Sequence, residues 1–143
     1  MIVYYNETFF NSNKLKDVVP FYTAALPNNV TFLMSMGYSG CSIASAMLFN
    51  SKRDLKHIAI RKSLINEHSP IGGCYPDSSD VICIVDDVIQ SGQTIINIFQ
   101  GTPIEITDNV KYILIGRKLG NAWDKVAKDF SLEKIKLIEI FNE

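Results

Sequence analysis

Asp86 and Asp87 are adjacent carboxylates, and Ser91-Gly92-Gln93-Thr94 follows them after Val88-Ile89-Gln90. The two halves of this stretch suit different chemistry. Small residues ahead of an apolar run can form a loop whose N–H groups, with a helix N-terminus, hold an anion. Ser91 and Thr94 add hydroxyl donors. The carboxylates would repel that anion, so they suit sugar hydroxyls or a metal. A ligand with a phosphate at one end and vicinal hydroxyls beside it is a ribose 5-phosphate.

These residues need a scaffold. Residues 81–85, Val-Ile-Cys-Ile-Val, are all apolar and mostly β-branched. That composition predicts a strand buried on both faces, which parallel sheets require. The acids then stand where the strand ends, ahead of the loop and a helix over 94–100. Open parallel sheets bind ligands beyond the carboxyl ends of their strands.

The stretch 81–95 resembles the phosphoribosyl-pyrophosphate (PRPP) signature of the type I phosphoribosyltransferases. The shared pattern is an apolar strand, two acids, three variable residues, Ser or Thr, Gly, one variable residue and Thr. It covers about one tenth of the chain. Without the resemblance, the stretch would be a buried strand ending in solvated acids and a turn. Response-regulator receiver domains also carry an acid pair after an apolar strand, but near the domain start. Here too little chain follows Asp86 for that fold, and it leaves Ser91-Gly92-Gln93-Thr94 unexplained.

The resemblance implies transfer of the 5-phosphoribosyl group from PRPP to a nucleobase or similar nitrogen acceptor, releasing pyrophosphate. It implies that Asp86 and Asp87 take the ribose hydroxyls, directly or through water on Mg²⁺, and that Gln90, Ser91, Gly92, Gln93 and Thr94 cradle the 5-phosphate. A homodimer is expected by the same resemblance. A PRPP- or nucleotide-binding regulatory module without transfer activity would use the same acids and phosphate loop.

Other segments fit this frame. Residues 30–36 predict the first core strand, and Gly37-Tyr38-Ser39-Gly40 a glycine-bearing loop before a helix over 42–49. The resemblance gives that loop the pyrophosphate, largely through backbone groups. Residues 57–60 predict a short strand ending in Arg61-Lys62, which would bring cations to the crevice. Lys62, with Asp86 and Asp87, completes the expected catalytic set. Residues 63–80 carry Pro70, Gly72, Gly73 and Pro76 and predict a long loop; the family has a mobile hood loop there. His68 is its one imidazole, either a pyrophosphate contact or merely solvated. Lys118 with Trp123, or Tyr4 or Tyr5, are candidates to face the acceptor base, although Trp123 on an amphipathic helix equally suits the core.

Two departures bear on the acceptor. Members acting on 6-oxopurines commonly carry Asp where Gln90 stands, and an amide cannot titrate near neutral pH. Orotate members carry further basic residues soon after the Arg-Lys pair, whereas Ser63-Leu64-Ile65-Asn66-Glu67 has none.

Around the motif, alternating strands and helices predict an α/β domain over residues 1–143. The sheet should be mainly parallel and flanked by helices, with a reduced hood. Residues 2–5 suggest an edge strand. Residues 14–19 suggest a helix that Pro20 interrupts or restarts, 104–107 a short strand or connector, 110–115 a core strand, 121–130 a helix and 135–141 a last strand. The 143 residues carry a net charge of −1, which offers no basic field for nucleic acid. Cys41, Cys74 and Cys83 form no framework, which fits a reducing cytosol. The start lacks a signal-peptide pattern, and no apolar run is long enough for a membrane span.

Overall fold

The computed structural model describes residues 11–61 and 71–141. Helix α1 (Ser12–Ala25) leads into strand β1 (Phe32–Met36), helix α2 (Gly37–Asn50), strand β2 (Lys56–Ile60) and the short strand β3 (Ile71–Gly73). Strand β4 (Ile82–Ile89), helix α3 (Gln93–Gly101), the single turn α4 (Ile104–Thr107), strand β5 (Val110–Lys118), helix α5 (Ala122–Asp129) and strand β6 (Lys136–Glu139) complete the order.

The six strands form one sheet in the order β3-β2-β1-β4-β5-β6. Every pairing is parallel except that of β2 with β3. This is the mainly parallel α/β architecture that the alternating pattern predicts. Side-chain alternation builds a core on each face. Phe32, Met34, Ile58, Ile82, Ile84, Ile113 and Ile115 pack with Ile95 and Ile98 of α3 and Trp123 of α5. Leu33, Cys83, Val85 and Leu114 pack on the other face with Val19 and Tyr22 of α1 and Ile43, Ala44 and Met47 of α2. Burial of the Cys83 thiol in this second core pushes its pKa upward, so it is a small core residue.

Several boundaries differ from the sequence expectation. Asn11 caps α1, its Oδ1 accepting from the Asn13 and Lys14 N–H groups at 3.1 and 3.2 Å. The helix then runs unbroken through Pro20. Its ring costs one backbone bond, but burial of Val19 and Tyr22 around it holds the helix on the sheet. Residues 104–107 make a helical turn rather than a strand. The 63–80 segment is not all loop, because Ile71–Gly73 adds an antiparallel edge to β2. The suggested strand over 2–5, Lys62 and His68 lie outside the described residues. Among the described residues no helix is long and apolar enough to cross a membrane.

Candidate sugar-phosphate site

The strand order reverses between β1 and β4. The chain leaves β1 through α2 toward β2, and leaves β4 through α3 toward β5. Helices diverging from neighbouring strands leave a crevice at such a switch point. Strand lengths deepen it. The β1–β4 ladder ends at Met34↔Ile84, while the β4–β5 ladder continues to Ile89↔Lys118. Residues 85–89 therefore overhang beyond the β1 pairing. The acid pair lies inside this overhanging strand, not in a turn after it.

A cleft of about 250 Å³ opens there. Gly37, Tyr38 and Ser39 line one side, Asp86 and Asp87 the middle, and residues 90–94 the other side. The expected pyrophosphate loop is the first turn of α2, since the helix begins at Gly37 directly after β1. The φ of 83° at Gly37 makes the sharp reversal, a conformation glycine adopts without steric cost. Gly40 sits behind the cleft. A Cβ there would lie 3.0 Å from the Val85 carbonyl oxygen and 3.6 Å from Asp86 Oδ1, so glycine lets the first turn of α2 lean against β4.

The phosphate loop has its own support. Gly92 precedes α3 with φ of 81°, and a Cβ on it would stand 3.1 Å from Val126 Cγ1 and 3.2 Å from Trp123 Cε3. Ser91 Oγ accepts the Gln93 N–H at 3.2 Å, and the Gly92 carbonyl takes the first helical bond from Ile96 at 3.0 Å. The N–H groups of Gln93 and Thr94 open the helix at the cleft wall, where the helix dipole favours negative charge.

The carboxylates are fixed by their own backbone. Asp86 Oδ1 accepts the Asp87 N–H at 2.9 Å, and Asp87 Oδ1 accepts the Val88 N–H at 2.7 Å. Asp86 is 8% exposed and Asp87 half-buried. From the opposite core, Tyr22 Oη donates to the Asp86 carbonyl at 2.9 Å. A second polar group lies behind α2. Ser35, fully buried, has its Oγ 2.6 Å from His57 Nε2 and 3.2 Å from Cys41 Sγ. Burial lowers the His57 pKa, favouring the neutral imidazole.

The structure thus brings together Gly37, Tyr38, Ser39, Asp86, Asp87, Gln90, Ser91, Gly92, Gln93 and Thr94. Arg61 is exposed after β2 and does not line the cleft. Lys62, Tyr4 and Tyr5 lie outside the described residues. Trp123 does not present a face to an acceptor: it is 5% exposed, with its indole beneath Gly92. Lys118 stands outside the cleft lining, with Nζ 3.3 Å from Asp124. Tyr22 escaped sequence reasoning because its partner is 64 residues away and nothing local marks the pairing.

Comparison with known proteins gives these features a context. No protein-family model and no curated protein matches the sequence. Solved structures do match. Orotate phosphoribosyltransferase from Francisella tularensis aligns over 92% of this chain and 68% of its own, with TM-score 0.69 and 16% identity. The Mycobacterium tuberculosis orotate enzyme in complex with PRPP aligns over 97% and 79%, with TM-score 0.70 and 12% identity. Adenine phosphoribosyltransferase from Saccharomyces cerevisiae aligns over 93% and 82%, with TM-score 0.66 and 11% identity.

The chain has the type I phosphoribosyltransferase fold.

Within this phosphoribosyltransferase fold the match extends to longer proteins. Leishmania donovani UMP synthase aligns over 89% of this chain, which spans 26% of that enzyme, with TM-score 0.68 and 18% identity. The phosphoribosyltransferase fold thus extends well beyond the motif at 81–95.

Proposed function

We propose that the protein binds PRPP and transfers its 5-phosphoribosyl group to a nitrogen acceptor, releasing pyrophosphate. The observation that carries this reading is one cleft lined by both the acid pair and the N-terminal turns of α2 and α3. A sugar phosphate needs acceptors for its hydroxyls and donors for its phosphates, and the lining of this cleft holds both. Asp86 and Asp87 orient the ribose hydroxyls. Residues 90–94 hold the 5-phosphate, and residues 37–39 the pyrophosphate. In the reaction the bond from the anomeric carbon to pyrophosphate breaks as the acceptor nitrogen bonds to that carbon. An oxocarbenium-like transition state asks for positioning and neutralisation of the leaving anion.

The donor set suits Mg²⁺. Two carboxylates supply hard oxygens, and no group of three or more His, Cys, Asp or Glu cages a metal among the described residues. An ion held by one or two carboxylates would take its other ligands from phosphates and water. When bound, it would offset the charge of the pyrophosphate. Arg61 and Lys62 are proposed to add positive charge from the end of β2. The acceptor is a nucleobase or related nitrogen compound. A homodimer and a cytoplasmic setting complete the proposal.

A regulatory module that binds PRPP without turnover is the second reading. Its support is the cleft lining itself, in which Asp86 and Asp87 are the only charged side chains among the described residues. Incubation with Mg²⁺ and PRPP across a panel of bases, following pyrophosphate, separates the two. Base-dependent release is expected. Tight PRPP binding without release for any base would favour the module, and no PRPP binding would overturn both.

A further inference from the structure

Helix α1 contributes no residue to the cleft lining, yet Tyr22 ties it to the acid pair. The Tyr22 side chain is fully buried, and its hydroxyl donates to the Asp86 carbonyl at 2.9 Å across the core. The same peptide carries the Asp87 N–H, which bonds back to Asp86 Oδ1 at 2.9 Å. One phenol therefore fixes the peptide plane whose two ends hold the two carboxylates. Residues 85–89 lie past the β1 ladder, where strand pairing on that side no longer holds them. The Gly92 loop is supported separately, by Trp123 and Val126 on the other face of the sheet.

We infer that Tyr22 is a positioning residue for the sugar end of the site: its hydroxyl sets the angle of the Asp86–Asp87 pair while leaving the phosphate loop untouched. This rests on the ribose 5-phosphate reading of the cleft. Removing the hydroxyl takes one donor from a buried carbonyl and loosens that peptide on the side β5 does not pair. The signature is selective. Sugar phosphates lose affinity and inorganic phosphate does not, whereas a merely structural role would weaken both together or neither.

The test is calorimetric titration of wild-type and Tyr22→Phe protein with ribose 5-phosphate, PRPP with Mg²⁺, and inorganic phosphate. Phenylalanine keeps the ring in the core. The expected result is a loss of about tenfold for both sugar phosphates, with phosphate changed by less than about twofold. Equal losses for all three ligands, or no loss, would overturn the inference. Wild-type protein that ignores both sugar phosphates would overturn the functional reading instead, which is a distinguishable failure. Should Tyr22→Phe not fold, the wild-type tyrosine ring resonances decide. The Tyr22 signal should move with ribose 5-phosphate and stay fixed with phosphate, and the reverse result would end the inference.

Discussion

Two glycines and two carboxylates carry most of the account at the scale of single residues. Gly92 stands at φ of 81°, and any Cβ on it meets Trp123 and Val126 within about 3.2 Å. Gly92→Ala should therefore cost about 1–3 kcal/mol in denaturant unfolding, from backbone strain and overpacking together. It should also weaken phosphate binding, and an unchanged unfolding midpoint would contradict the packing described. Asp87 is different, because it is half-buried at the cleft and within a strand held by β5. Asp87→Ala should lower PRPP affinity at least about tenfold, near 1.4 kcal/mol, with its melting curve close to wild type. A variant that simply unfolds would assign that carboxylate to the scaffold. His57 predicts a pH effect. Its folded pKa lies below the ordinary 6.5, so its contribution to stability is present above pH 6.5 and is lost as pH falls through the folded value. Denaturation from pH 7.5 down to 5.5 should show this decline, and His57→Gln should flatten it.

Among the elements, α5 is the hidden support of the phosphate loop. Trp123→Ala should cost about 3–5 kcal/mol and loosen the turn at Gly92, whereas Trp123→Phe should retain much of both. Binding of phosphate alongside thermal melts checks this pair. How legible these elements were in the sequence follows from which interactions define them. The β-branched run over 81–85 and the small residues over 91–94 are local signals, and both the strand and the loop–helix junction are present. The strand's true end was not legible. β4 continues through both aspartates to Ile89 because β5 continues beside it to Lys118, a partner that no local pattern reveals. Helix α2 starts at Gly37 for a similar reason: Gly40 nests against Val85 and lets the helix begin immediately after β1. By sequence alone Trp123 suits base or core, and its burial against Gly92 decides for the core. The Tyr22 tether is long-range in the same sense.

For the whole molecule, the sheet order makes the site. Reversal between β1 and β4 puts two helix N-termini on one crevice, and the longer β4–β5 pair sets the acids between them. Each face of the sheet contributes separately, α1 and α2 behind the acids and α3 and α5 behind the phosphate loop. If that architecture holds a sugar phosphate, every ligand-sensitive backbone group should fall at this one crevice. Amide chemical-shift mapping with ribose 5-phosphate tests this most directly. The account predicts the largest shifts at Gly37, Asp87, Gly92 and Thr94, with the edge strands β3 and β6 unmoved. Shifts confined to another surface, or none at saturating ligand, would contradict it.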